Sequence, residues 1–336
     1  MDIVRFSKER RDELQEWINR YWKEGHSLSK SSMLLDFQHF NKQDECYDFY
    51  LLEDNNEVWG LIGYIPLFQF DCSLRDENEG WGGIWKVRDD CPIKGLGLDL
   101  FDKLLSEFGN KGSFGAIGMS RMAYKLFKVY KLEMGQLNQY YVGNPYIKDF
   151  KVCKNIVSNK IEPNQCTNWT IEVLYNLESI DTIQSSYRPK KTIQFFTNRY
   201  TNHPIYKYFF WVIYKKSEPI SVWALRRITV GTSSILRIVD IIGNIESLPA
   251  LGSCIQEEVI KEAVEYVDLL NYGIDSSIFE RIGFIKHNIS DEDIIVPNYF
   301  EPFEMRNVSL DFAYRSQYAN YVLFKADSDQ DRPNIL

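Results

Sequence analysis

The chain has 336 residues, of which 44% are hydrophobic and 15% aromatic, so it holds enough apolar side chains for more than one core. Its 39 basic and 47 acidic residues give a formal net charge of -8 without a long Lys/Arg run, which argues against a nucleic-acid partner. Six cysteines and four histidines are scattered without metal-ligand or disulfide spacing, so no metal is expected.

The start of the chain has no apolar signal-peptide core, and no run of about 18 apolar residues follows it. We therefore expect a cytoplasmic protein without a membrane partner. Nothing in the sequence distinguishes a monomer from a small homo-oligomer.

The first half of the chain predicts strands and helices in a mixed order. In chain order these are a strand at 2–6, helical regions at 7–25 and 30–43, a hairpin at 46–71 that turns at 53–57, a strand at 80–87, a helix at 96–109, a strand at 112–120, a helix at 121–132 and a strand at 135–144. This order is typical of a mixed α/β fold.

The second half repeats the same order with different residues. It predicts a strand at 168–177, a helical region at 189–204, a hairpin at 206–228 that turns at 216–219, a strand at 233–243, a helix at 248–266, a strand at 267–274 and a helix at 276–284. We therefore predict two domains, each with a mixed, mostly antiparallel sheet flanked by helices. Polar residues and Pro163 interrupt the apolar pattern near 158–168, which places the domains at 1–162 and 163–336.

A glycine turn connects the strand at 80–87 to the helix at 96–109. Gly95 and Gly97 lie where that helix begins. Backbone N–H groups at a helix start have no partners within the helix, and glycine lets an anion such as a pyrophosphate approach them. Because the longer fingerprints G-x-G-x-x-G and G-K-[ST] are missing, the turn alone is equally consistent with a structural connection.

The stretch VRDDCPIKGLG, from Val87 to Gly97, resembles motif A of the GNAT superfamily of acyl-CoA-dependent N-acyltransferases, roughly V-x-P-x-x-Q/R-x-x-G-x-G/A. The resemblance implies two GNAT-like domains and coenzyme A, as acyl-CoA, bound as the acyl donor. The implied cofactor-binding residues are Val87, Lys94, Gly95, Leu96 and Gly97. Asp89 and Pro92 depart from the motif, and Pro92 removes both a side chain and an N–H that would contact a phosphate.

The helix after the buried strand resembles the A-x-x-x-Y helix of the family, but Phe127 replaces the tyrosine that protonates the departing thiolate. Tyr124 or Tyr130 is a candidate substitute, with packing as the alternative role. In the second half, FERIGF at 279–284 resembles the end of the same helix, whereas only Gly252 remains of motif A. Cofactor binding is therefore expected in the first half, with a contribution to acceptor binding from the second.

The sequence does not identify a single residue as the base that takes the proton of an attacking amine. The candidates are His39, in the region that walls the acceptor site of the family, and Asp240 and Asp71, which each end an apolar strand. Each of the three has a structural role as its alternative. The resemblance also implies an oxyanion donor among the backbone N–H groups at 84–87. A covalent cysteine is disfavoured because no cysteine has a neighbouring histidine.

The tandem arrangement resembles bacterial N-acyltransferases that act on nucleotide-linked amino sugars in lipopolysaccharide and other surface-polysaccharide biosynthesis, of the type that acylates dTDP-3-amino-3,6-dideoxygalactose. The implied acceptor-binding residues are Asn298, Tyr299, Glu301 and Phe303. Rings interleaved with polar groups suit a sugar, and a loop pinned by its aromatic side chains is the alternative. Two other functions stay open, a peptidoglycan-type tandem-GNAT aminoacyltransferase and a non-catalytic GNAT-like scaffold.

Overall fold

The computed structural model describes residues 1–162 and 168–334. The first sheet contains β1 (Asp2–Ser7), β2 (Phe40–Asn41), β3 (Cys46–Asp54), β4 (Glu57–Pro66), β5 (Glu79–Val87), β6 (Ser113–Ile117), β7 (Glu133–Gln136) and β15 (Asp311–Ser316). The second sheet contains β8 (Asn138–Gly143), β9 (Trp169–Leu174), β10 (Tyr208–Lys215), β11 (Glu218–Val230), β12 (Ser233–Gly243), β13 (Tyr266–Tyr272), β14 (Ile285–His287) and β16 (Leu323–Phe324). Together they give the predicted fold class, two mixed sheets flanked by helices.

The described helices flank these sheets. They are α1 (Arg11–Trp17), α2 (Ser27–Lys30), α3 (Ser32–His39), α4 (Leu96–Glu107), α5 (Arg121–Val129), α6 (Ile193–Phe196), α7 (Gly252–Lys261) and α8 (Ser276–Ile282). Wider helical turns at Ile18–Trp22 and Thr197–Thr201 extend α1 and α6. None of the helices in the described residues is long and apolar enough to cross a membrane.

The two sheets have the same strand order and exchange one strand. The first runs β1-β3-β4-β5-β6-β15-β7, and the second, read from its other edge, runs β9-β10-β11-β12-β13-β8-β14. In each sheet, the strand next to the last position therefore comes from the other half of the chain. The predicted domain boundary between residues 162 and 163 lies at the edge of the described residues and stays a prediction. Each sheet contains one strand from the other side of this boundary.

Each sheet contains one parallel pair, β5 with β6 and β12 with β13. The crossovers are α4 and α7, as a parallel connection requires. In α4 the buried residues Leu100, Phe101, Leu104 and Leu105 recur at helical spacing. They pack on one face of the first sheet, and α1 and α3 pack on the other, in agreement with the alternating side chains of β3.

A shared core joins the halves. Phe70 and Trp81 of the first half pack with Phe195 and Phe210 of the second in one buried cluster. Side chains from both halves of the chain thus share one buried cluster.

Two local predictions need correction. The stretch at 135–144, predicted as one strand, divides at Leu137 into β7 and β8, which belong to different sheets. The strands β14, β15 and β16 were not predicted, and β15 completes the first sheet by pairing with both β6 and β7.

Candidate active site

A cleft opens in the first sheet where its two parallel strands separate. β5 and β6 pair only at Glu79 with Ser113, Gly80 with Phe114 and Trp81 with Gly115, and then diverge. Beyond that point the cleft is lined by Gly82, Gly83, Ile84 and Trp85 from β5 and by Ala116, Ile117 and Gly118 from β6 and the residue after it. Two of the four residues implied as the oxyanion-donor region, Ile84 and Trp85, therefore border the cleft.

The glycine turn lies next to this cleft. Gly95 has a φ of 90°, in the left-handed region, and a Cβ at this position would meet nothing within 4 Å. No side chain caps the first turn of α4 in the described structure, and Leu98 N–H bonds back to Gly95 O at 2.8 Å. The start of α4 is thus open to an anion, as a helix N-terminus that binds pyrophosphate must be.

Trp85 links the turn to the cleft. Its Nε1 donates to Gly97 O at 3.1 Å, while the ring lines the cleft. A Cβ on Gly97 would lie 3.4 Å from Val87 Cγ2 and 3.6 Å from Trp85 Nε1. The predicted cofactor residues Val87 and Gly97 are therefore brought together at the start of α4, with Lys94 and Gly95 exposed beside them and Leu96 half-buried.

Two features of the turn weaken its attraction for an anion. Pro92 is exposed and supplies no N–H, as expected from the sequence. Asp99 places a carboxylate in the first turn of α4, which repels a phosphate near the same N–H groups. Backbone donors, rather than a cluster of cationic side chains, are what this site offers.

His39 lines the cleft from the end of α3 and is 1% exposed. Its Nδ1 lies 2.9 Å from Tyr64 O, and since a carbonyl only accepts, Nδ1 carries the proton. Burial lowers the pKa of His39 to about 4, so the ring is neutral near pH 7. A neutral ring protonated on Nδ1 has its lone pair on Nε2, which is the form a general base needs.

Phe127 lines the cleft without supplying a hydroxyl. It is 4% exposed, and its ring centroid lies 6.0 Å from that of Trp85 and 5.2 Å from that of Phe101. Tyr124, the predicted substitute, is 43% exposed and is absent from the described residues that line the cleft. Tyr130 packs edge-on against Phe101, and burial raises its pKa to about 12.

The structure does not bring Asp240 to the cleft. Both its oxygens accept from Lys191 Nζ, at 2.8 and 2.9 Å, and one accepts from Tyr200 at 2.7 Å. Asp327 Oδ1 lies 2.8 Å from the same Lys191 Nζ. Asp240 thus belongs to a buried ion cluster of the second half, and Asp71 accepts from Thr192 and the backbone of Ser73.

The predicted acceptor segment at 298–303 packs on the second sheet, and none of its four candidate residues lines the cleft. Asn298 is 2% exposed, and its carbonyl accepts from Arg237 at 2.9 Å. Glu301 accepts from Tyr206 and from Arg226.

The two aromatic candidates of this segment are likewise held within the second half. Lys325 Nζ lies 5.2 Å from the Tyr299 ring centroid, and the ring of Phe303 contacts that of Phe300.

Several lining residues were missed by sequence reasoning. Ser120, Trp22, Ser328, Asp329, Gln330 and Arg332 border the cleft. The Ser120 hydroxyl caps α5 by accepting from Ala123 N–H at 3.2 Å, a role that its position before a helical pattern could have indicated. The C-terminal residues carry no local signal, because only the fold brings them to β5.

No protein-family model matches the chain, and no curated protein is similar in sequence. Among solved structures, the chain is similar to a GCN5-related N-acetyltransferase from Anabaena variabilis, with 11% identity, coverage of 93% of this chain and 72% of that one, and a TM-score of 0.53. It is also similar to a Pyrococcus horikoshii protein described as an acetyltransferase (10% identity, 94% and 89% coverage, TM-score 0.47). A tandem GNAT protein from the clavulanic acid biosynthesis pathway gives 8% identity, 81% and 83% coverage and a TM-score of 0.37.

The first of these similarities supports a shared fold. The fold of this chain is thus similar to that of the GCN5-related N-acetyltransferase from Anabaena variabilis. Within this chain the same strand order around one parallel pair occurs in both sheets.

Proposed function

We propose that this chain is an acyl-CoA-dependent N-acyltransferase whose active site lies in the first half. One observation carries the proposal: the cleft between the separating strands β5 and β6 adjoins an uncapped helix start at Gly95. A helix start binds the pyrophosphate of coenzyme A, and a cleft beside it admits the acyl end. The residues at the turn fit this ligand, because Gly95 has empty space where any other residue would place a side chain.

Bound acyl-CoA would supply a thioester, whose carbonyl carbon forms a bond to the acceptor nitrogen as the C–S bond breaks and CoA leaves as the thiolate. The residues of the chain hold the amine and remove its proton. His39 Nε2 accepts the proton that the nitrogen loses, and a positioned base of this kind contributes about 10² to 10⁴-fold. Backbone N–H groups of β5 that β6 leaves unpaired are the donors for the carbonyl oxygen.

For the acceptor we propose a nucleotide-linked amino sugar, as the resemblance to bacterial amino-sugar N-acyltransferases suggests. The polar lining of the cleft supports an acceptor with hydroxyl, amine and phosphate groups. Ser120 and Gln330 offer neutral hydrogen-bonding groups, and Asp329 and Arg332 offer one charge of each sign. Segment 298–303 contributes no lining residue, so the sugar would meet the C-terminal residues instead.

The proposal is tested by calorimetry with acetyl-CoA and by release of free CoA thiol in the presence of dTDP-3-amino-3,6-dideoxygalactose. We expect acetyl-CoA binding and amine-dependent thiol release. Binding without release for any amine acceptor would leave a CoA-binding protein and refute the transferase, and no binding at millimolar acetyl-CoA would indicate a non-catalytic scaffold. Transfer from aminoacyl-tRNA instead of acetyl-CoA would indicate the peptidoglycan type.

A further inference from the structure

The residues Ala326 to Arg332, here called the C-terminal strap, connect the two parallel-strand pairs of the molecule. In the second sheet, β12 and β13 pair up to Ile238, and the next carbonyl, Val239 O, accepts from Ala326 N–H at 3.1 Å. In the first sheet, pairing ends at Trp81, and the next carbonyl, Gly82 O, accepts from the Ser328 hydroxyl at 2.6 Å. The first carbonyl freed on each side is thus satisfied by the same short segment.

The strap is held in a fixed conformation. Asp327 bonds to Lys191 and accepts from Phe324 N–H at 2.9 Å, which fastens its start in the second half. Ser328 and Asp329 follow with φ values of 53° and 58°, in the left-handed region that residues other than glycine seldom occupy. Backbone strain of this kind persists only where the surroundings impose it, and it is concentrated at functional sites.

The far end of the strap packs on the end of β6. A Cβ added to Gly118 would lie 2.6 Å from Gln330 Oε1, so the Gln330 side chain rests directly on this glycine. Since Ser328 reaches β5 and Gln330 reaches the end of β6, the strap closes one end of the cleft.

The strap also supplies the charge of the cleft. Among the described lining residues, the ionisable ones are His39, Asp329 and Arg332, and His39 is neutral near pH 7. The Asp329 side chain is 12% exposed and that of Arg332 is 40% exposed, so the carboxylate is the more buried of the two groups. Their closest atoms are 3.6 Å apart, longer than a charge-assisted hydrogen bond of about 2.7 to 2.9 Å, and the Gln38 side chain hydrogen-bonds to the Asp329 carboxylate. The guanidinium therefore keeps bonding capacity for a ligand, and the carboxylate has lone pairs beyond the one that Gln38 uses.

We propose that Asp329 and Arg332 are the residues that select the acceptor: Asp329 binds the amine near His39, and Arg332 binds a phosphate group of the same molecule. The inference rests on the proposed transferase function and assigns acceptor recognition to the second half of the chain, while donor binding and proton transfer belong to the first. It requires an acceptor that carries both an amine and a phosphate. An amine without a phosphate would lack the contact with Arg332.

The test uses protein saturated with acetyl-CoA and titrated with dTDP, which has the phosphates but no amine. We expect Arg332→Met to weaken dTDP binding about tenfold, equivalent to about 1.4 kcal/mol, because the charge-assisted hydrogen bond from the guanidinium to a phosphate is lost. We expect Asp329→Asn to strengthen dTDP binding, because the neutral amide no longer competes for the guanidinium. Thymidine, which lacks the phosphates, should be insensitive to Arg332→Met.

Matched controls are Arg306→Met and Glu292→Gln, which remove one charge of each sign outside the described lining of the cleft. Both should bind dTDP as the wild type does. Equal weakening by Asp329→Asn and Arg332→Met would indicate a structural ion pair and overturn the inference, as would a wild type that binds acetyl-CoA but not dTDP. Failure to bind acetyl-CoA overturns the proposed function itself, and the inference with it.

Discussion

The two halves of the chain build the same parallel strand pair but use the space beyond it differently. In the first half, the space beyond Trp81 is an open cleft. In the second half, the corresponding space beyond Ile238 receives the Tyr187 hydroxyl, which bonds to Ile241 O, and the ion cluster of Lys191, Asp240 and Asp327. The separation of the parallel strands is therefore a property of the fold. A cleft arises only where side chains do not fill the space between the strands.

The helix starts differ in the same way. A Cβ on Gly95 would meet nothing within 4 Å, whereas one on Gly252 at the start of α7 would lie 3.1 Å from both Gly283 Cα and Ile161 Cδ1. The glycine of the first half keeps space open for a ligand, and that of the second half permits close packing. The same residue type at the same place in the fold thus serves binding in one half and stability in the other.

Replacing Lys191 should have the largest effect. Lys191→Met leaves the buried Asp240 and Asp327 without their cation, and breaking such a pair costs about 3–5 kcal/mol of the free energy of unfolding. Urea unfolding would measure it. Lys190→Met, which removes a partly exposed ion pair with Glu77, is the control and should cost at most about 1 kcal/mol. Equal losses for the two variants would mean that the ion cluster does not hold the second half together.

Replacing the candidate base in the first half should lower kcat, whereas replacing a histidine of the second half should not. His39→Gln is expected to lower kcat by roughly 10²-fold or more at unchanged acetyl-CoA affinity, because a positioned base is lost and the donor site is intact. His287→Gln is the counterpart in the second half, where Nε2 bonds to Asn307 Oδ1 at 2.9 Å, and it should leave kcat unchanged. A His39→Gln enzyme with full kcat would exclude His39 as the base.

The stability of both halves should respond alike to acid. Burial lowers the pKa of His39 and of His203 to about 4 from 6.5, so the stabilisation from each neutral ring is complete above pH 6.5 and is lost as the pH falls towards 4. Between pH 6.5 and 5, His39→Gln and His203→Gln should each lose about 2 kcal/mol less stability than the wild type. Urea unfolding at several pH values tests this, and curves parallel to the wild type would show that burial does not lower the pKa of the ring.

The pair of glycines at the two helix starts gives the sharpest contrast between the halves. Gly97→Val is expected to weaken acetyl-CoA binding about tenfold, equivalent to about 1.4 kcal/mol, with little change in the free energy of unfolding. Gly252→Ala should lower the free energy of unfolding by about 1–3 kcal/mol through overpacking and leave acetyl-CoA affinity unchanged. Calorimetry and urea unfolding on both variants provide the check. Weaker acetyl-CoA binding by Gly252→Ala, with unchanged binding by Gly97→Val, would place the donor site in the second half.

Local patterns predicted the elements well where the signal was local. The apolar spacing of α4 and the turn residues between β3 and β4 were sufficient to predict a helix and a hairpin, and the fold class followed from their order. The division of 135–144 at Leu137 was not predictable, because both pieces are apolar and only the sheets they join distinguish them. Tertiary packing decides which sheet a strand joins, and the local sequence does not indicate it.

The site was predicted in part for the same reason. Val87, Gly95 and Gly97 belong to a contiguous motif, and the structure brings them together. Asp329 and Arg332 lie in the strap, where Ser328 is separated from its partner Gly82 by 246 positions, so no spacing rule connects them. Asp240 was predicted to end an apolar strand but lies within β12, where a buried ion cluster explains a carboxylate as readily as an active site does.

The exchanged strand β15 has a consequence for synthesis of the chain on the ribosome. Until residue 316 has emerged, β6 has no partner on one side and β7 has none in its sheet. The hydrogen bond from the Gln136 side chain to Asp311 likewise joins residues 175 positions apart. Long-range pairing of this kind slows folding, and an unpaired strand edge invites association with other nascent chains. The first sheet therefore acquires its last strand only after residue 316 has been synthesised.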